Sequence, residues 1–158
     1  MNKQCVMRFQ IMLLVLSISA CATMPENLVK SPTVNLSSVQ VMGLGFANQT
    51  FLLSFDVENP NPFPLPVDHV NYGVKLNGQR FASGETVSNF TVPAIGNARF
   101  AISVDLNLLQ TAPGLLSIVR DGARREIAYE LTGQLGVGIP LTPPIKYSNR
   151  GSIRLNSE

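Results

Sequence analysis

Side chains able to do chemistry are few in this sequence, and their spacing limits what they can do. The single histidine, His69, follows Asp68. A Ser–His–Asp relay could use that pair, but no Gly-x-Ser-x-Gly elbow accompanies it, so His69 reads as an exposed or capping side chain at a strand start. Asp56 and Glu58 share one face of an extended segment, and Glu126 and Glu130 share a face of another. Paired carboxylates can cleave glycosidic bonds, yet such enzymes work in a larger cleft, and these pairs read as charge on solvated strand faces. Gly133, Gly136 and Gly138 form a glycine-rich stretch that follows a strand and meets Pro140 instead of a helix. That order suits a bend or bulge and not a phosphate-binding loop. Two cysteines and one histidine are too few for a zinc site built from clustered ligands. The expectation is a protein without catalytic residues, cofactor or metal.

The remaining reactive group is the thiol of Cys21. Residues 1–8 carry Lys3 and Arg8 and no acid, residues 9–16 are almost wholly apolar, and Ser17-Ile18-Ser19-Ala20 precede the cysteine. A positive start, a short apolar core and small residues make a secretory leader. A membrane-spanning helix needs ~20 apolar residues, more than this interrupted stretch supplies. Ile18-Ser19-Ala20-Cys21 also resembles the bacterial lipobox. A thiol there accepts diacylglycerol as a thioether, and the small residues fit the peptidase that cuts between Ala20 and Cys21. Residues 1–20 are thus read as a lipoprotein signal peptide, and Cys21 as the lipidated mature N-terminus. Several acyl chains give stable anchoring where one binds only marginally.

Loss of Lys3 and Arg8 with the leader takes the basic count from 12 to 10, against 10 acidic residues. A formally neutral chain has no basic excess for nucleic acid and no polybasic segment for anionic lipid. Cys5 leaves as well, so no internal disulfide can form in an exported and oxidising location. The charged fraction is 14% and the hydrophobic fraction 45%, the wrong balance for disorder.

Residues 21–33, with Pro25 and Pro32, read as a short, aperiodic, lipidated tether. Residues 34–158 read as one all-β domain. Phe51, Leu53, Phe55 and Val57 alternate with polar residues, as do Val70, Tyr72, Val74 and Leu76, then Phe100, Ile102, Val104 and Leu106, then Ile127, Tyr129 and Leu131. Asn77-Gly78 predicts a two-residue hairpin turn into Gln79–Ala82. Weaker strands are predicted over 34–44, 86–92 and 145–155. One-sided burial marks antiparallel sheets, and about seven such strands make a two-sheet sandwich. Helical spacing between Leu106 and Asp121 predicts one short helix, Ala112 to Arg120, across an end of the sandwich.

Asn59-Pro60-Asn61-Pro62-Phe63-Pro64-Leu65-Pro66-Val67 is the most unusual stretch. In an extended chain all four missing N–H groups fall on one edge, which cannot complete a ladder. Asn61, Phe63, Leu65 and Val67 share one face and can dock on the core. Two readings remain: a device that blocks strand addition at a sheet edge, or a stiff crossover between sheets.

The segment from Thr50 to Val67, an alternating strand ending in Asn59-Pro60-Asn61 and followed by Phe63 and Pro66, resembles the late-embryogenesis-abundant type 2 family, also called the water-stress and hypersensitive-response (WHy) domain. The resemblance extends over about Val34 to Leu155 and is specific at 50–67. It implies an immunoglobulin- or fibronectin-III-like sandwich with one helix. It also implies chaperone-like protection under desiccation, cold or other stress, with no catalytic residues to carry over, and with Asn59, Pro60, Asn61, Pro62, Phe63, Pro64 and Pro66 as structural motif residues. Bacterial members are similar in being exported, often as lipoproteins, whereas plant members are mainly intracellular.

The expected protein is therefore an envelope lipoprotein on the periplasmic face of the outer membrane, since Ala22 and not Asp follows the cysteine. Its expected partners are the membrane, through the lipid, and many weak protein clients. The alternative is a periplasmic module that holds a specific protein or an apolar ligand. Replacing Cys21→Ser is expected to leave the chain soluble or unprocessed in cell fractionation; a cleaved, unlipidated form still held in the membrane would refute the anchor.

Overall fold

A computed structural model describes residues 29–44, 48–107 and 113–157. The predicted leader, Cys21 and most of the tether lie outside the described residues, as does Ala112 at the predicted helix start.

Alternating apolar residues drive the chain into eight strands: β1 (Thr33–Leu44), β2 (Gln49–Asn59), β3 (Leu65–Leu76), β4 (Gln79–Val92), β5 (Gly96–Leu106), β6 (Ile127–Val137), β7 (Ile145–Ile153) and β8 (Leu155–Ser157). One helix, α1 (Pro113–Gly122), stands between β5 and β6. The strands form two four-stranded sheets, sheet I in the order β5-β2-β1-β8 and sheet II in the order β4-β3-β6-β7. All ladders are antiparallel except the short parallel pairing of β8 with β1. The fold is the predicted all-β sandwich with one short helix.

Period-two burial follows the sequence closely. Phe51, Leu53, Phe55 and Val57 on β2 are fully buried, and so are Val70, Val74 and Leu76 on β3. They interdigitate across the sheets as in other sandwiches. Phe51 meets Phe81 edge-on with centroids 5.0 Å apart, and Phe55 stacks on Phe100 at 4.9 Å. Offset and edge-on rings of this kind add about 0.5–1.5 kcal/mol each beyond their buried area.

Three elements depart locally from the predicted ones. The segments 79–82 and 86–92 are one continuous strand, β4. A register shift between Val74 and Lys75 of β3 lets β4 bury both Phe81 and Ala82, which hides the alternation in the sequence. The last predicted strand divides at Arg154, where β8 leaves sheet II to pair with β1 of sheet I. The helix runs over Pro113–Gly122 and buries Leu115 and Ile118, and in its last turn the Asp121 carbonyl accepts the N–H of Arg124 and of Arg125 at 3.0 Å.

Two glycines are demanded by geometry. Asn77 (φ 47°) and Gly78 (φ 79°) both lie in the left-handed region, as the hairpin turn between β3 and β4 requires. Asn77 also docks this turn on β6, donating its N–H to Ala128 O (2.8 Å) and accepting the Ala128 N–H at its side-chain oxygen (3.2 Å). Gly133 on β6 lies beneath Tyr147 of β7, whose hydroxyl crosses it to donate to the Asn71 carbonyl on β3 at 2.9 Å. A Cβ at position 133 would collide with that phenol and with the Asn71 carbonyl. Burial raises the Tyr147 phenol well above its usual pKa, with Tyr72 adding to the shift, so the group stays a neutral donor. Gly133→Ala is expected to destabilise the domain by about 1–3 kcal/mol through overpacking, measured by chemical denaturation; an unchanged midpoint would disprove the crossing.

Candidate functional site

The motif residues gather where β2 of sheet I passes to β3 of sheet II. Among the described residues, Asn59 and Asn61 are the buried polar side chains, each 1% exposed. The Asn59 amide donates to Phe63 O (2.8 Å), to Pro93 O (3.0 Å) and, at greater length, to Val92 O (3.4 Å). Its oxygen accepts the Asn61 N–H (2.9 Å) and the Asn61 side-chain amide (2.8 Å). The first of these closes an Asx turn around Pro60, which has no N–H of its own to satisfy. The Asn61 amide also donates to Lys30 O (2.9 Å), and its oxygen accepts the Lys30 N–H (2.8 Å). Two side chains thus join the segment before β1, the crossover and the β4–β5 turn.

The junction also holds strain. Ile95, in the β4–β5 turn, has φ 47°, a conformation that costs a β-branched residue about 1–2 kcal/mol. Its N–H donates to Asn61 O at 2.9 Å.

The proline run is a crossover and not an edge device. β2 and β3 are both interior strands of their sheets, so no open edge exists for the prolines to block. Pro60, Pro62 and Pro64 are exposed, while Asn61, Leu65 and Val67 are buried and Phe63 is half-buried. Pro66 lies near the start of β3, where a missing donor is tolerated, and its carbonyl accepts the Gly138 N–H at 3.0 Å.

The other candidate groups are dispersed, and the carboxylates of Asp56, Glu126 and Glu130 are engaged. His69 is exposed on β3. Asp56 accepts two hydrogen bonds from Arg99 (2.6 and 3.2 Å), which hold its carboxyl below the usual range against a weaker opposing effect of burial. Glu58 is exposed. Glu130 lies 3.5 Å from Lys75 and 4.0 Å from Arg150, and Glu126 accepts the Ser152 hydroxyl at 2.8 Å. Gly133 and Gly136 are within β6, and the bulge beside them is on β3, where Asp68 is the extra residue between Val67 and His69. Among the described residues no group of three or more His, Cys, Asp or Glu could hold a metal ion, and no helix is long and apolar enough to cross a membrane. A depression of about 610 Å³ on sheet II is open and lined by Asn71, Ser83, Thr132, Gln134 and Ser148 with Lys146 the one charged group.

Sequence reasoning missed the amide network, because its carbonyl partners come from residues 30, 63 and 93. Two asparagines flanking a proline were the available signal, and they told of a turn but not of its partners.

A two-sheet β-sandwich with one short helix, whose crossover is an amide-bonded Asn-Pro-Asn, defines the structural class. Residues 54–151 match the family model for late embryogenesis abundant protein, LEA_2, and the chain belongs to that family. Over 129 residues it is 27% identical to the desiccation protectant protein Lea14 homolog of Glycine max, covering 78% of this chain and 81% of the soybean protein. A solution structure from Arabidopsis thaliana superposes with a TM-score of 0.60 at 20% identity, covering 82% of this chain and 85% of that one. A second solution structure, of a late embryogenesis abundant (LEA) protein, gives 0.50 at 19% identity over 96% and 84%. These structures show the shared fold. The domain is thus of a stress-protective family.

Asn59→Ala is expected to cost about 2–4 kcal/mol, since it strands buried carbonyls at three places. Ile95→Gly should instead stabilise by about 1 kcal/mol through relief of strain. Chemical denaturation of both variants checks this; equal and small effects would remove the junction from its central place.

Proposed function

We propose that the chain is an exported lipoprotein, cleaved between Ala20 and Cys21 and lipidated on Cys21, whose domain protects neighbouring proteins of the bacterial envelope during water loss, cold or heat. Residues 21–33 serve as the tether and 34–158 as the protective domain, on the periplasmic face of the outer membrane. The observation that carries the protective role is membership of the family together with the likeness to a protein named as a desiccation protectant. The leader and lipobox carry the location.

The physical picture is weak contact with many clients over a formally neutral, sparsely charged, amide-rich and locally apolar surface. Met42, Val87, Ile95 and Leu141 are exposed at separate places, a distribution that suits many brief contacts better than one tight partner. The interior offers a ligand little room, since Phe55 packs between Phe100 and Tyr72 and Phe90 stacks on Phe100.

The test is to dry or heat an aggregation-prone enzyme with residues 22–158 across molar ratios, against an inert protein of matched mass. Retained enzyme activity well above the control is expected. Equal retention from a domain shown to be folded by circular dichroism would overturn the protective role.

A further inference from the structure

The four sheet edges of the sandwich are not equivalent. On one side β1 and β7 are tied together, because the Asn149 amide donates to Val34 O (3.2 Å) and to the Asn35 side-chain oxygen. β8 ends sheet I there with three residues. On the other side the edges are β4 and β5. Register shifts interrupt β4 at two points along β3. β5 pairs with β2 from Asn59↔Gly96 to Gln49↔Leu106 without a break, and it contains neither proline nor lysine. Bulges, prolines and free charges are the usual guards of an edge. Here the two charges are turned toward β2: Arg99 donates to Asp56, and Asp105 accepts the Thr50 hydroxyl at 2.6 Å. The inward row of β5, Phe100, Ile102, Val104 and Leu106, is only half-buried.

We propose that the edge of β5 that no described strand pairs takes β5 of a second copy of this chain, antiparallel and centred on Ile102. The occupant follows from the sequence of β5 itself. Residues directly opposite each other in an antiparallel pair share a face, so apolar must meet apolar and polar must meet polar. Centred on Ile102, Phe100 meets Val104 and Ala98 meets Leu106 of the second copy on the inner face, while Arg99 meets Asp105 of the second copy on the outer face. Centring on Ala101 or Ser103 sets Arg99 opposite Ser103 or Asn107 and pairs no opposite charges. The twofold axis makes each contact twice. Each outer row then reads Asp56, Arg99, Asp105 of the second copy and Thr50 of the second copy, with the guanidinium between two carboxylates. Sheet I becomes one eight-stranded sheet across two copies. By mass action the pairing gains population as water is withdrawn.

Sedimentation velocity of the full chain in mild detergent, over a concentration series, is expected to show a monomer–dimer equilibrium. Asp105→Arg and Arg99→Asp each set like charges opposite one another twice, and each should weaken self-association by about tenfold or more. Mixing the two variants should restore association, because one chain is then positive and the other negative at both positions. A protein monomeric at every concentration, variants that dimerise like the wild type, or a mixture no better than its parts would overturn the proposal. Hydrogen exchange on the unmodified chain reads the same contact without dependence on variant folding: β5 amides should gain protection with protein concentration while β4 amides do not. Protection that follows an added unfolded client instead would replace the second copy with an extended client strand.

Discussion

The chain must leave the middle of one sheet and enter the middle of the other, and the rest of the sandwich depends on how that crossing is satisfied. An interior strand end is buried, so its carbonyls need donors that neither sheet can give. Prolines stiffen the crossing but bring no N–H groups. Asn59 and Asn61 supply the donors, and their oxygens take up the Asn61 and Lys30 N–H groups in return. Because the carbonyls they serve belong to the segment before β1, the crossover and the β4–β5 turn, the same amides fix where both sheets begin. The left-handed Ile95 is held against this network, so local strain is balanced by polar bonds that exist only in the assembled fold.

From that junction the two sides of the sandwich diverge. Asn149 binds β7 to β1, and the strand switch at Arg154 adds β8 beside β1, so this side is stitched by polar bonds and backbone pairing. The β4–β5 side is joined mainly by apolar contact, with Phe90 stacked on Phe100 at 5.2 Å. Sheet II packs tyrosines across glycines: Tyr72 opposes Gly84, Tyr129 opposes Gly151, and Tyr147 opposes Gly133. Those pairs place large rings over strand positions that have no side chain of their own, filling the interior without crowding the ladder.

The surface that results is sparsely charged, with exposed apolar side chains scattered over it. Asp56–Arg99 and Glu130–Lys75 are exposed cross-strand ion pairs, each worth little individually. The buried polar groups serve the fold. The surface also offers amide, hydroxyl and scattered apolar area, carried on a sandwich held by its packed core, its backbone ladders and the Asn59 and Asn61 amides.

The sequence by itself determined the faces. Period two in Phe51–Val57, Val70–Leu76 and Ile127–Leu131 set which residues are buried, because a strand can only turn every second side chain inward. Asn77-Gly78 set one turn, because two successive left-handed residues tolerate little else. The alternation Asn61, Phe63, Leu65, Val67 was equally local, and it held through the proline run. Partnership was decided only by the tertiary structure. Nothing local in Pro60–Pro66 says that the strands on either side are interior, so a missing row of donors looks the same at an edge and at a crossing. The two halves of β4 join through a bulge whose second strand lies elsewhere in the chain, and β8 turns parallel only because β1 is within reach. The amides of Asn59 and Asn61 announce a turn in the sequence, but the carbonyls they bind come from residues brought together when both sheets close, and a hydrogen bond has no meaning until its acceptor is in place.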